Sequence, residues 1–280
     1  LWYGNKKLFW TIPEYKASKF HKLNPKIKIK TNLFLELLGF YISEGWCNKS
    51  RIILAQMPYS KAYKPIIDLL QKLNIKYKLV KSGFEINNTQ IATYIKNITP
   101  GLCYEKRIPR EILNLDKSHL KHLYKTMMLG DGSIDRLYIT TSEGLRNDFE
   151  ELVNKLGWSS TSKTYDKIKI KGGKIGIRQI IAKHLVYVIS INKDKNEPRF
   201  NHHKKNKNGS TCFKENYKGN IYCLELEKNH TLLVKRNNRT CWSGNSLAIA
   251  CWMYQIRPKF DFKELAGAPL PHYQPMSMSR

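Results

Sequence analysis

The hydrophobic and polar positions of this chain follow one order of elements, and that order occurs twice. In the first half, an apolar helix that ends near residue 45 precedes a strand at 51–56, a helix at 62–73, strands at 77–80 and 84–86, and a helix at 90–97. In the second half, an apolar helix that ends near residue 132 precedes a strand at 137–140, a helix at 146–156, strands at 159–165 and 167–171, and a helix at 177–184. The repetition predicts an internal duplication, and therefore a pseudo-twofold α/β (α+β) protein whose symmetry axis lies between the two apolar helices.

The two apolar helices share one short motif, at residues 37–45 and 124–132. Each motif has two small residues four positions apart, then an acid, then a glycine, which is a common helix terminator. The small residues are Gly39 and Ser43 in the first motif, and Thr126 and Gly130 in the second. Because small residues at this spacing form a flat stripe, the two helices can pack closely. We therefore expect Glu44 and Asp131 to lie side by side at one end of a two-helix seam, as a site for a divalent metal.

The net charge indicates the kind of partner. The chain has 280 residues and a formal net charge of +27, which favours a polyanion, most simply nucleic acid, because neutralising phosphates releases counterions. In the segments 26–30 and 167–171, lysine alternates with isoleucine, so a strand there would place its lysines on one face. A solvated basic surface without a partner is the alternative.

Several classes of protein are disfavoured. No apolar run is long enough to span a bilayer, and we expect no membrane partner and no signal peptide. The six cysteines form no CxxC pair, which disfavours a zinc site or a disulfide framework and indicates a reducing, intracellular (cytoplasmic) setting. The chain begins with leucine rather than methionine, which favours a fragment of a longer protein.

The repeated motif, with the element order that follows it, resembles the LAGLIDADG homing endonucleases, in the two-repeat, single-chain form that inteins carry. The resemblance covers about residues 31–199, with repeats at about 31–115 and 116–200, and it includes Lys106-Arg107-Ile108-Pro109, which is similar to an element that this family places before its second motif. It implies a monomeric, pseudo-twofold αββαββα-type endonuclease whose saddle-shaped antiparallel sheets bind the major groove of double-stranded DNA. The sequence departs from the family pattern at Glu44, where aspartate is commoner, and at Lys125 and Met128.

The resemblance also implies a chemistry. Glu44 and Asp131, with the backbone carbonyls of Gly45 and Gly132, would hold Mg²⁺ or Mn²⁺ and cut one DNA strand each, which produces a double-strand break. The alternative is that the two acids simply end their helices and have no role in metal binding.

The family further implies lysines near the metals that polarise phosphate or water. Lys106 is the candidate for one half of the site and Lys193 for the other. The alternative role of Lys106 is that of a surface lysine in contact with phosphate.

The region after residue 200 has a different character. Residues 201–219 are polar and basic, which favours a linker, and two short strands follow at 221–226 and 231–235, with a hairpin turn at 237–238. This region resembles the C-terminal splicing segment of an intein, a small all-β Hint segment that would end at Asn245. In that interpretation residues 1–30 form a linker from a missing N-terminal splicing part, which is a further expected partner, and 246–280 begin the host protein.

The splicing resemblance assigns roles to four residues. Asn245 would cyclise and cut the chain, Ser246 would be the nucleophile that accepts the upstream segment, and His230 would assist as an acid or base. Cys223 would either tune the junction or act as a nucleophile itself. A plain β-hairpin is the alternative to the splicing interpretation, and a catalytically inactive, maturase-like or degenerate relative that binds nucleic acid is the alternative to the endonuclease.

Overall fold

The computed structural model of the chain describes residues 2–18, 20, 22–48, 50–166, 168, 171–175, 178–194, 231–236 and 239–244. The chain divides into two compact units, of which the first comprises residues 1–198 and 233–241 and the second comprises residues 199–232 and 242–280. Nearly all the described residues belong to the first unit. The predicted site residues Cys223, His230, Asn245 and Ser246 lie outside the described residues, as does the proposed start of the host protein.

Helices and strands alternate through the first unit. The helices are α1 Thr31–Glu44, α2 Tyr63–Lys72, α3 Thr89–Ile98, α4 Arg110–Leu113, α5 Lys117–Gly130 and α6 Glu143–Lys155. The strands are β1 Phe9–Ile12, β2 Ile27–Lys30, β3 Gly45–Asn48, β4 Arg51–Leu54, β5 Tyr77–Val80, β6 Gly83–Ile86, β7 Leu137–Thr140, β8 Ser159–Tyr165, β9 Lys171–Ile175, β10 Arg178–Ile181, β11 Val186–Asn192, β12 Thr231–Arg236 and β13 Arg239–Gly244. None of the helices in the described part of the chain is long and apolar enough to cross a membrane.

Three of the helices begin at side chains that accept a hydrogen bond from the first helical turn. The caps are Asn88 for α3, Asp116 for α5 and Ser142 for α6, and each accepts from the backbone N–H three residues later. Such a cap satisfies one of the backbone donors that a helix start leaves unpaired. Helix α1 has no side-chain cap, and most of its residues are buried, so tertiary packing rather than local capping holds it in place.

The strands form antiparallel pairs, which confirms the predicted mixed α/β architecture with antiparallel sheets. One sheet has the order β3-β4-β6-β5, and another has the order β12-β13-β8-β11-β7. Gly132 and Tyr138 add an antiparallel bridge beside β7, in the position that β3 takes beside β4. The order β4-β6-β5 after α1 therefore corresponds to the order β7-β11-β8 after α5.

Helices α1 and α5 pack closely through their small residues. A β-carbon placed on Gly39 would lie 2.0 Å from Thr126 Oγ1, and one placed on Gly130 would lie 2.5 Å from the β-carbon of Ser43. Both distances are far shorter than van der Waals contact, so neither position has room for a larger residue. The four small residues thus face one another across the seam in two pairs, as their spacing predicted.

The segment that the sequence predicted as a linker contains two strands, β1 and β2, that pack against the core. Strands β1 and β2 form an antiparallel pair, and the side chain of Trp10 is only 1% exposed. The Trp10 ring stacks on Phe34 of α1 at a centroid distance of 5.0 Å, and its Nε1 donates a hydrogen bond to Tyr94 Oη at 2.9 Å. Trp10 is therefore part of the core, whereas Tyr3 and Phe20 in the same segment are exposed.

One predicted element of the second half is wrong, and the strand predicted at 167–171 lies mostly outside the described residues. The sequence predicted a helix at 177–184, but strand β10 occupies Arg178–Ile181 and pairs antiparallel with β9. Its β-branched residues Ile180 and Ile181 suit a strand, and the partner strand β9 lies just before it in the chain. Strands β3 and β11 are additions to the predicted elements. The four residues of β3 are too few to show a clear alternation in the sequence.

The close seam gives a stability prediction. We expect Gly39→Ala to lower the free energy of unfolding by about 1–3 kcal/mol, the usual cost of overpacking, although alanine normally favours a helix over glycine. Adding Thr126→Gly should recover part of that loss, because it removes the two side-chain atoms nearest to the new methyl group. Chemical denaturation measures both effects, and a Gly39→Ala variant at least as stable as the wild type would contradict the close packing.

Candidate functional site

The two motif acids lie at the same end of the seam. Helix α1 ends at Glu44, and Asp131 directly follows the last residue of α5. Burial and the nearby negative charge of Glu44 raise the pKa of the Asp131 carboxyl from 3.8 to about 7, and burial also raises the pKa of Glu44. The structure therefore brings together two carboxylates that stand 87 positions apart in the sequence, close enough for the charge of Glu44 to act on Asp131.

Equivalent backbone hydrogen bonds hold both acids. The carbonyl of Glu44 accepts from the N–H of Ala55 at 2.9 Å, and the carbonyl of Asp131 accepts from the N–H of Ile139 at 3.3 Å. Ala55 directly follows β4, which pairs with the strand after Glu44, and Ile139 lies in β7, which bridges to the glycine after Asp131. The first strands after each motif helix thereby fix the two acids relative to their own sheets.

The glycines after the acids are needed for close approach, which differs from the predicted reason. Gly45 has an extended backbone with φ −104°, so it is not a left-handed helix terminator. A β-carbon on Gly45 would lie 2.7 Å from Tyr41 Cα, and one on Gly132 would lie 2.5 Å from the Met128 carbonyl oxygen. Each glycine thus lets the chain pass tightly over the backbone four residues earlier, which turns the acid back toward the seam.

Lys106 lies buried at the end of α1, with a side chain only 4% exposed. Its Nζ donates hydrogen bonds to the carbonyl oxygens of Tyr41 at 2.7 Å, Ile42 at 2.8 Å and Gly45 at 2.6 Å. Burial lowers the pKa of Lys106 to about 8, and the charge of Asp131 opposes that shift. The ammonium therefore caps the C-terminus of α1, where a positive charge is favourable, and lies near both carboxylates.

The segment that carries Lys106 is fixed by its neighbours. The hydroxyl of Ser142 donates to the Lys106 carbonyl at 2.8 Å, and the guanidinium of Arg107 makes two hydrogen bonds to Asp148, at 2.6 and 2.7 Å. The backbone N–H of Ile108 donates to the same carboxylate at 2.9 Å. The start of α6 therefore holds the Lys106–Ile108 segment in place from both sides.

A second lysine, Lys61, lies at the other motif. Its Nζ donates to the carbonyl oxygens of Gly132 at 2.5 Å and Met128 at 3.3 Å, and its side chain is exposed. Lys61 also lies close enough to Glu44 to lower the pKa of that carboxyl. It was not predicted as a site residue, because it stands in a short segment between β4 and α2 that has no distinctive pattern.

Two further residues of the site were not predicted. The buried side chain of Gln56 hydrogen-bonds the carboxylate of Glu44, and the fully buried Tyr138 lies beside Asp131. Gln56 follows β4, and Tyr138 belongs to β7. Their positions depend on how the strands return to the helix ends, which no local pattern in the sequence reports.

Lys193 does not join this set of charges. The structure places its Nζ over the rings of Tyr124, at 5.1 Å, and Trp158, at 4.7 Å. Tyr124 precedes Asp131 by seven positions, which is about 10 Å along a helix. The sequence-based assignment of Lys193 to the second half of the site is therefore not supported by the geometry, because the end of β11 carries it toward the aromatic side chains instead.

The carboxylates of Glu44 and Asp131 fit a hard cation whose remaining ligands would come from the substrate. The described residues contain no group of three or more His, Cys, Asp or Glu side chains that could hold a metal ion. However, Mg²⁺ is commonly bound by one or two carboxylates together with substrate phosphates, and a cation would offset the burial and the repulsion that raise the pKa of Asp131. The carbonyls of Gly45 and Gly132 accept from lysines, and each retains a second lone pair.

The outward faces of the two sheets carry basic, aromatic and hydroxyl side chains. In the first sheet, Trp46 and Lys78 lie at the two ends of a cross-strand row that also contains Ile53 and Glu85, and Trp46 is 42% exposed. In the second sheet, Lys163 and Thr161 of β8 are exposed, and Tyr165 is 41% exposed. This composition suits contacts with phosphates and with base edges.

The described part of the C-terminal region extends the second sheet. Strand β13 pairs antiparallel with β8 through Thr240 and Ser160. Glu150 of α6 is fully buried, and it accepts a hydrogen bond from Thr240 at 3.0 Å and pairs with Lys235 Nζ at 2.6 Å. The strand predicted at 231–235 is therefore present as β12, whereas the strand predicted at 221–226 lies outside the described residues.

No protein-family model matches the chain. The chain is 31% identical over 173 residues to an uncharacterized protein of Methanocaldococcus jannaschii, and 27% identical over 169 residues to a DNA polymerase of Thermococcus sp. (strain GE8). It is 24% identical over 272 residues to a DNA-directed RNA polymerase subunit beta C-terminal section of Stigeoclonium helveticum. These matches cover 56%, 55% and 79% of this chain, but only 18%, 10% and 24% of the respective relatives. The chain is thus similar to segments that make up at most about a quarter of its relatives.

The raised pKa of Asp131 gives a pH-dependent stability prediction. Because the folded-state pKa lies above the ordinary value, the stability that protonation contributes is complete below about pH 4 and is lost as the pH rises through 7. Asparagine has no such dependence. Without divalent metal, we expect Asp131→Asn to gain about 2 kcal/mol of stability relative to wild type between pH 5 and pH 8.

Chemical denaturation in EDTA at the two pH values measures this difference. Asp68→Asn, which removes an exposed carboxylate from α2, is the matched control. An equal effect of Asp131→Asn at both pH values would mean that the carboxyl titrates normally.

Proposed function

We propose that this chain is the endonuclease part of an intein, and that it makes metal-dependent double-strand breaks at a specific DNA site. The observation that carries the proposal is the end of the α1–α5 seam, where Glu44 and Asp131 interact electrostatically beside a buried lysine. A pair of carboxylates at the junction of two similar half-domains provides one acid for each strand of a duplex.

The match between the two halves supports a duplicated fold of the LAGLIDADG type. Each motif helix ends in an acid whose carbonyl accepts from the equivalent N–H of the next strand, and each acid is followed by a glycine that no larger residue could replace. The order β4-β6-β5 recurs as β7-β11-β8. Two sheets related in this way would lie on either side of the seam. The formal net charge of +27 would attract the protein to DNA.

The residues of the chain have distinct roles in the proposed reaction. Glu44 and Asp131 bind the cation and hold its position at the junction of the two half-sites. When bound, Mg²⁺ or Mn²⁺ neutralises charge at phosphorus and lowers the pKa of a water for attack. Gln56 orients the Glu44 carboxylate, and Lys106 keeps the end of α1 in place while its charge offsets that of the two acids.

The comparisons are consistent with an inserted element. The three relatives carry different names, yet this chain matches only a minor share of each, as a shared module within unrelated proteins would. Polymerase proteins commonly carry inteins. In this proposal Asn245 and Ser246 form the downstream splice junction, with His230 and Cys223 nearby in the splicing segment.

A nucleic-acid-binding protein without nuclease activity is the second candidate. The observation that favours it is the occupation of both predicted backbone ligands, since the carbonyls of Gly45 and Gly132 already accept hydrogen bonds from lysine ammonium groups. The protein would then bind DNA through the basic faces of its sheets, but its carboxylate site would bind a cation weakly.

Cleavage of DNA tests the proposal directly. The substrate is a supercoiled plasmid library in which randomised DNA precedes the coding sequence of residues 246–280. We expect the chain to linearise a specific subset of plasmids with Mg²⁺ or Mn²⁺ but not with EDTA. Glu44→Gln and Asp131→Asn should each slow linearisation by roughly a hundredfold or more, the effect of losing a group that stabilises transition-state charge.

Asp68→Asn is again the matched control and should cleave like the wild type. Sequencing of the product ends identifies the site. Tight binding without cleavage under either metal would support the second candidate, and cleavage that survives both motif substitutions would place the nuclease elsewhere.

The splicing segment has its own test. Co-expressed with an N-terminal splicing block, the chain should be cut between Asn245 and Ser246, because the asparagine side chain attacks its own carbonyl. Asn245→Ala should abolish that cut, whereas Asn238→Ala should not. Intact-mass spectrometry detects the released peptide of residues 246–280, and its release from Asn245→Ala, or its absence from the wild type, would contradict the assignment.

A further inference from the structure

Lys61 and Lys106 make matching contacts at the two motifs. Lys106 Nζ donates to the carbonyls of Tyr41 and Gly45, and Lys61 Nζ donates to the carbonyls of Met128 and Gly132. When the two motifs are aligned on their acids, Tyr41 corresponds to Met128, and Gly45 corresponds to Gly132. The same pair of carbonyls therefore binds a lysine ammonium at both helix ends.

The two lysines reach their carbonyls from different parts of the chain. Lys106 lies in the connection between the halves, ahead of α4, whereas Lys61 belongs to the first half, directly before α2. Lys61 thus crosses from the first half to the motif of the second half. A crossing contact of this kind makes the geometry of the second acid depend on a residue outside its own repeat.

Burial distinguishes the two contacts. The ammonium of Lys106 is enclosed, with only 4% of the residue exposed, so it acts as a fixed part of the fold. Lys61 is exposed, and its two hydrogen bonds compete with water. Such a contact contributes little to global stability, but it can select the orientation of the Asp131–Gly132 turn.

On the basis of the nuclease activity proposed above, we propose that Lys61 is a positioning residue for the half-site of Asp131, in the place that the sequence assigned to Lys193. By binding the carbonyls of Met128 and Gly132, it holds the turn that carries the second carboxylate. Loss of this contact would misplace one acid and leave the other in position, so the two DNA strands would be affected unequally.

The test is strand-resolved cleavage by Lys61→Met, which keeps the length of the side chain and removes its three donors. With the plasmid site that the wild type cuts, and with each strand labelled at its own end, we expect cleavage of one strand to slow by roughly tenfold to a hundredfold, as misplaced catalytic groups do. The other strand should change less than about threefold, within the indirect effects of losing one exposed, charged contact. Nicked circles should therefore accumulate, and the slow strand alone should need more Mg²⁺.

Two variants serve as controls for this test. Lys61→Arg keeps a charged donor and should restore most of the lost rate. Lys64→Met removes an exposed lysine three positions later and should leave both strands unaffected. Unchanged melting temperatures exclude a general loss of folding.

Equal slowing of both strands by Lys61→Met, or no slowing of either, would overturn the role of Lys61 while the nuclease proposal still held. A wild-type chain that cuts neither strand would instead overturn the nuclease proposal. The two failures are therefore distinguishable in one experiment.

Discussion

The close approach of α1 and α5 is the constraint on which the rest of the structure depends. Gly39 faces Thr126 and Ser43 faces Gly130, with no space for an added methyl group at either glycine. Because the helices meet at this short distance, their C-terminal ends coincide, and so do the acids that follow them. A bulkier residue in the seam would separate the carboxylates as well as the helices, so packing and the proposed chemistry share the same residues.

The seam places like charges near one another, and the surrounding residues offset part of the cost. Burial and the repulsion from Glu44 raise the pKa of Asp131, which is unfavourable near neutral pH. The buried ammonium of Lys106 and the exposed ammonium of Lys61 bring positive charge to the two helix ends, where the helix dipoles also favour it. A site with this balance is less stable than a neutral one, and such a cost is common where charged groups serve a function rather than the fold.

The parts of the site that could be predicted from the sequence were those with a local signature. The small residues at four-residue spacing indicated the seam, and the Lys106–Pro109 element indicated a lysine ahead of the second motif. Lys61, Gln56 and Tyr138 had no such signature, because long-range strand pairing and a crossing loop bring them to the helix ends.

The same distinction between local and long-range information holds for the fold. The amphipathic helices α2, α3 and α6 lie close to their predicted positions, since their periodicity is local. The pairing of β1 with β2 against α1, and the replacement of a predicted helix by β10, depend on partners that a periodic pattern does not identify. The burial of Trp10 likewise depends on Phe34 and Tyr94, which lie far from it in the chain.

The measurement that tests the central claim most directly is the titration of the Asp131 carboxyl by NMR in metal-free solution, in the wild type and in Glu44→Gln. If the seam brings the two acids together, the Asp131 carboxyl of the wild type will titrate near pH 7, and its pKa will fall when Glu44 is neutralised. An Asp131 pKa that is the same in both proteins would show that the two acids do not meet.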